Sequence, residues 1–222
     1  PASTTKIMTA LLTLEILEKY DSPLDQKVEI PAEAEGVEGS SLYLKAGEKI
    51  SIEDLLYGMM LVSGNDSAVA LSCIIGGTQQ HFIEMMNRRA DAIGCTGTHF
   101  INPDGIHDPQ HYTTAADMMK IAERALATDV IARTVALPSV KTTFLSGQSV
   151  SWKNTNKLIR ENSAYTYQGA TGMKTGTTSE AGQCLVASAV RDGKTTIVVL
   201  MGAKEDSGRW EDASGLLDIS FM

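Results

Sequence analysis

Ser3 and Lys6 stand three residues apart at what reads as a helix start, a spacing that turns both side chains to one face. A hydroxyl beside a neutral amine can lose its proton to that amine and become a nucleophile, which is what serine acyl transfer requires. Lysine normally keeps its proton up to a pKa of about 10.4, so it acts as a base only where burial or a second cation disfavours the ammonium. Lys174 is the candidate second cation. Ser63-Gly64-Asn65 offers a hydroxyl and a carboxamide: Ser63 would bridge a proton between Lys6 and a leaving amine, and Asn65 would hold an amide of a bound peptide. Lys174-Thr175-Gly176-Thr177 reads as a strand edge that an extended peptide can join, with Gly176 leaving room for close approach. The backbone N–H groups of Ser3 and Thr177 would then form an oxyanion hole.

Taken singly, each piece has an ordinary structural reading: Ser3 as an N-cap, Asn65 as a turn former, Lys174 as a solvated strand residue. Three such motifs, each present once and in this order, are improbable on composition alone. The four histidines provide no comparable base. His99, His107 and His111 cluster near Asp104 and Asp108, with His81 apart, but without tight ligand spacing. Neither a metal nor a cofactor is expected.

These residues need elements to hold them. Ile7, Ala10, Leu11, Leu14 and Leu17 follow helical spacing until Tyr20-Asp21-Ser22-Pro23. Residues 24–49 read as loops and small strands, and Ser51 with Asp54 signals a second helix. That helix breaks at Ser63-Gly64-Asn65, which falls on an interhelical turn before an apolar helix from about Ser67 to Ile75. Helical patterns follow over Phe82 to Ile93 and from Thr113 or Thr114 onward, separated by the Asn102-Pro103-Asp104-Gly105 loop. Gly182 to Val190 and Thr195 to Met201 read as antiparallel strands joined at Arg191-Asp192-Gly193-Lys194, and Arg209 to Phe221 as a closing helix.

The 222 residues, 43% hydrophobic, can bury a substantial core in one domain or two close lobes. A net charge of −8 with scattered Lys and Arg argues against a nucleic-acid partner. Cys73, Cys95 and Cys184 lie far apart with no CxxC pair, so no zinc knuckle or dense disulfide scaffold is expected. No stretch approaches the roughly 20 apolar residues of a membrane span, and the first residues do not read as a signal peptide.

The ordered set S-x-x-K, S-x-N and K-T-G is the signature of penicillin-binding proteins and class A β-lactamases, here with Gly64 where the signature has Asp. The chain resembles the D-Ala-D-Ala carboxypeptidase family of serine peptidases over nearly its full length. Asp54-Leu55-Leu56-Tyr57-Gly58, Phe100-Ile101-Asn102-Pro103-Asp104-Gly105-Ile106, Thr114-Ala115-Ala116-Asp117, Asn154-Thr155-Asn156-Lys157-Leu158 and Gly172-Met173-Lys174 are among the similar segments. The resemblance implies an α+β fold of the β-lactamase/transpeptidase type, an antiparallel sheet flanked by helices with a mostly helical lobe inserted. Residues 1–20 and 166–222 would form the sheet lobe and residues 21–165 the helical lobe, together one catalytic domain.

It further implies that Ser3 attacks the bond between two D-alanines of a peptidoglycan stem peptide and that β-lactams acylate Ser3. Arg209 would help Thr175 or Thr177 bind the terminal carboxylate. The substrate implies a cell-envelope location, with membrane attachment only through segments outside these residues. At least two sheet strands that precede S-x-x-K in the family are expected to be missing here. The rival readings are a β-lactamase and an idle binding domain. The first needs a glutamate-positioned water, for which Glu161-Asn162 has the wrong spacing. The second is disfavoured by the intact Lys6, Asn65 and Lys174.

Overall fold

The computed structural model describes residues 1–144 and 147–222. A 3-10 turn, Ala2–Thr5, runs directly into α1, Lys6–Lys19. The first nine residues of α1 are buried on every side, as expected of a helix enclosed by protein. Around it pack α2 (Ile52–Leu61), α3 (Asn65–Gly76), α4 (Gln79–Ile93), α5 (Ala115–Leu126) and α6 (Asp129–Val135). Their starts follow the side-chain chemistry: Ser51, Thr78 and Thr114 each accept a hydrogen bond from a backbone N–H in the first turn. Gly94 closes α4 in the left-handed region, where glycine carries no Cβ penalty.

Two small antiparallel hairpins border this helical body, β1 (Lys27–Glu29) with β2 (Lys49–Ser51) and β3 (Ser139–Thr143) with β4 (Ser149–Lys153). The second is tied to α2 through the Thr142 hydroxyl, which donates to Asp54 Oδ1 at 2.6 Å. The main sheet among the described residues is β5 (Ala170–Thr178), β6 (Gly182–Arg191) and β7 (Lys194–Ala203), in that order and antiparallel throughout. β6 is buried on both faces, so its apolar run is nearly continuous. Val186 joins the core built on α1, whereas Leu185, Ala187 and Ala189 join a second core with Trp210, Ala213 and Leu217 of α7, Asp206–Ser220.

The α+β class and the order of elements match the sequence reading. Three differences are instructive. The helix expected from Ser3 is a 3-10 turn up to Thr5, α3 starts at Asn65 and not Ser67, and α6 with the β3–β4 hairpin had no clear signal. The hairpin strands are only half buried, so their alternation carries little apolar contrast.

Candidate active site

The 3-10 geometry is what brings Ser3 and Lys6 together, because side chains three apart eclipse in such a turn. Lys6 Nζ lies 3.0 Å from Ser3 Oγ, 2.7 Å from Asn65 Oδ1 and 2.6 Å from the Asp104 carbonyl oxygen. Asn65 is oriented by its other end, where Nδ2 donates to the Glu38 carbonyl at 2.7 Å, so its oxygen must face Lys6. Lys6 is fully enclosed, and burial lowers its pKa to about 8 even though Asp104 and Asp66 act to raise it.

That geometry constrains the neutral amine. It has two N–H groups and one lone pair, and two of its neighbours, the Asn65 and Asp104 oxygens, can only accept. They take the two N–H groups and leave the lone pair to Ser3, whose hydroxyl must donate into it. In a deprotonated Lys6 the lone pair would therefore point at the Ser3 hydroxyl.

Lys174 on β5 stands opposite Val186 and shares its face, the one turned toward α1. Burial first, then the Lys6 and Arg209 cations, push its pKa well below the ordinary lysine value. The sequence reading gave Lys174 a part in lowering Lys6. In the structure burial dominates at Lys6, and the effect of a neighbouring ammonium is felt at Lys174.

Gly176 explains how β5 approaches Ser3. A Cβ there would lie 2.9 Å from the Ser3 backbone nitrogen and 3.0 Å from the Pro1 carbonyl, so only glycine fits without movement of backbone. Thr177, one residue on, is exposed at the rim. Its hydroxyl contacts Gln183 Oε1 at 2.8 Å and Arg209 Nη1 at 3.2 Å. The largely buried Arg209 also reaches the Gly176 and Cys184 carbonyls at 3.4 Å and Asp206 Oδ1 at 2.5 Å. The Thr175 hydroxyl pairs with that of Thr155 at 2.7 Å.

Ser63 sits between α2 and α3 at φ 67°, a left-handed conformation uncommon for a non-glycine residue and found disproportionately at functional turns. Gly64 follows because a Cβ there would meet Leu42 Cδ1 at 2.0 Å. Asp66, buried in the first turn of α3, receives Ser41 Oγ, Leu42 N and Leu44 N on one carboxylate oxygen, which anchors the loop beside Asn65.

Sequence reasoning missed several supports. The Asp104 carbonyl belongs to a loop that the sequence reading placed between helices and in a family-like segment without giving it a role at Lys6, and Gly105 beside it lies so close to the Ser3 turn that a Cβ would fall 1.9 Å from the Ala2 carbonyl oxygen. The NPDG pattern was the available signal. Thr155 gave none. Among the described residues no group of three His, Cys, Asp or Glu side chains could hold a metal, and His111 is buried against Thr5. No helix among them is long and apolar enough to cross a membrane.

The chain is 34% identical over 221 residues to the D-alanyl-D-alanine carboxypeptidase DacF of Bacillus subtilis, covering all of this chain and 56% of that one. It is 34% identical over 227 residues to DacC of Escherichia coli, a D-alanyl-D-alanine carboxypeptidase of which 55% is covered. It thus spans little more than half the length of these curated relatives. The crystal structure of the Streptomyces K15 DD-transpeptidase superposes with a TM-score of 0.88 at 34% identity, covering 99% of this chain and 87% of that one. The D-alanyl-D-alanine carboxypeptidase DacD of Francisella tularensis gives 0.85 at 32% identity, with 98% and 63% covered. At that identity the shared β-lactamase/transpeptidase fold comes with shared descent. The pattern of the peptidase S11 family, D-alanyl-D-alanine carboxypeptidase, runs through residues 1–205, across all three motifs that surround Lys6, and the chain belongs to that family.

Proposed function

We propose that this chain is the catalytic domain of a serine D-Ala-D-Ala carboxypeptidase. The observation that carries the reading is the enclosed Lys6 amine, whose two carbonyl-type acceptors leave its lone pair to Ser3 Oγ at 3.0 Å. Lys6 takes the hydroxyl proton while Ser3 Oγ attacks the carbonyl carbon between the two terminal D-alanines. The developing oxyanion is held by the backbone N–H groups of Ser3 and Thr177, which the glycine at 176 allows to converge. Collapse breaks the C–N bond, and the departing D-alanine amine receives the proton through Ser63. Water, deprotonated by Lys6, then hydrolyses the Ser3 ester and frees the shortened peptide.

The substrate lies along the open edge of β5 as an added strand. Asn65 holds the acyl-side amide with its second Nδ2 hydrogen, and Lys174, Thr175, Thr177 and Arg209 gather the terminal carboxylate. A β-lactam presents the same acylating carbonyl and traps Ser3. Such a substrate, the stem peptide of peptidoglycan, places the work in the cell envelope outside the cytoplasm, and every proton transfer is carried by side chains of the chain itself.

The test is intact-mass analysis of the purified chain with benzylpenicillin, with Ser3→Ala in parallel. A long-lived single adduct that the variant lacks, together with D-alanine release from a D-Ala-D-Ala peptide, is the expected result. Rapid penicillin turnover without a lasting adduct would point to a β-lactamase, and no reaction at all to an idle binding domain.

A further inference from the structure

His111 takes no part in the acyl transfer described above, yet it is 7% exposed and makes two hydrogen bonds, one of them to the residue that precedes Lys6. Its Nδ1 lies 3.0 Å from the Ile101 backbone nitrogen and its Nε2 lies 2.8 Å from Thr5 Oγ1. A backbone N–H can only donate, so Nδ1 carries no proton, and Nε2 carries one and donates it to Thr5. The Phe100 ring meets the imidazole edge-on, with centroids 5.7 Å apart.

The two partners matter because of where they lead. Thr5 is the residue immediately before Lys6, so its hydroxyl fixes the turn that aims the amine. Ile101 opens the segment whose Asp104 carbonyl accepts from Lys6 Nζ at 2.6 Å. That segment is held elsewhere by Asn87 on both sides of Phe100 and by Thr9, whose hydroxyl donates to the Pro103 carbonyl at 2.6 Å. His111 touches both the turn and the loop through one rigid ring. Burial, the Pro1 amine, His99 and His107 disfavour its charged form, against Asp108, and bring its pKa to about 3.

We propose that His111 is a positioning residue: a neutral, Nε2-protonated imidazole that locks the Ser3–Lys6 turn to the Asp104 loop and so sets the direction of the Lys6 lone pair. This rests on the acyl-transfer reading above.

Stopped-flow acylation by a chromogenic cephalosporin separates the saturating acylation rate from the half-saturating concentration. His111→Leu is expected to lower the rate by about 10²-fold, the scale of a misaligned reacting pair, and to move the half-saturating concentration by less than about twofold. Thr5→Val should lose as much, and the double variant should lose no more than either, because the two side chains act through one bond. His111→Gln, which keeps a donor for Thr5, should recover at least about tenfold over His111→Leu. In the unaltered chain, 15N-detected imidazole spectra should show an unprotonated Nδ1 from pH 5 to 9. Variant rates within about twofold of the unaltered chain, additive losses, or an imidazole that titrates in that range would each overturn the assignment. If His111→Leu does not fold, the Gln and Val variants and the spectra still decide it. An unaltered chain that fails to acylate at all would instead sink the catalytic reading on which this one stands.

Discussion

At Lys6 the chemistry comes down to which form of one amine the protein prefers. A lysine at its ordinary pKa would be neutral in roughly one molecule in 3,000 at pH 7, whereas a pKa of about 8 makes that about one in ten. The cause is burial, opposed by Asp104 and Asp66. Acylation of Ser3 should therefore rise about tenfold per pH unit below 8 and level off above it, as a pH–rate profile from 6 to 10 would reveal. The sign of the carboxylate effect gives a sharper check. Asp104→Asn keeps the backbone carbonyl that accepts from Lys6 and an oxygen for the Ile106 N–H, but removes the charge that favours the ammonium. Its midpoint should move to lower pH, so that activity at pH 6 increases relative to the plateau. A midpoint moving upward would mean that Asp104 does not act on Lys6 through its charge.

The elements around Lys6 are spaced by glycines whose missing Cβ atoms can be tested one at a time. Gly105 has φ 89°, and a Cβ there would collide with the Ala2 carbonyl at 1.9 Å, backbone against backbone. Gly105→Ala should cost more than about 1 kcal/mol of stability and displace Ser3, lowering the acylation rate together with the melting temperature. Gly215, inside α7, has nothing within 4 Å of its Cβ position and an ordinary helical φ. Gly215→Ala should instead stabilise by about 0.5–1 kcal/mol and leave acylation alone. The same contrast explains what could be read from the sequence. Ser3, Lys6, Ser63, Asn65 and Lys174 could be singled out as candidates because each lies in a short motif whose spacing suits acyl transfer, and Ser51 announced α2 by capping it. Asp104, Thr155 and His111 were not, because they act through a backbone carbonyl, a hydroxyl pair and a ring 106 residues from its partner. Such contacts exist only once the chain has folded.

Across the whole molecule, α1 is a buried spine whose first turn carries the site and whose far end is fastened by charge. Arg89 of α4 grips Glu15 bidentately, with Nε at 2.8 Å and Nη2 at 2.6 Å from its two oxygens, and both side chains are largely shielded. Arg124 reaches the same carboxylate at 3.7 Å but is well exposed and contributes little. Nine residues separate Lys6 from Glu15, about 14 Å of helix. A bidentate, partly buried pair is worth about 1–2 kcal/mol, and in a chain of this size each kcal/mol moves Tm by about 2–4 °C. Arg89→Leu should thus lower Tm by about 2–8 °C in a thermal melt. The acylation rate at 25 °C should stay within about twofold, because the turn at Ser3 is held by the Asp104 loop, β5 and His111 and not by the distal end of the helix. A rate that falls in step with Tm would mean instead that α1 transmits strain along its length, and that the alignment of Ser3 and Lys6 is a property of the whole helical body and not of the turn alone.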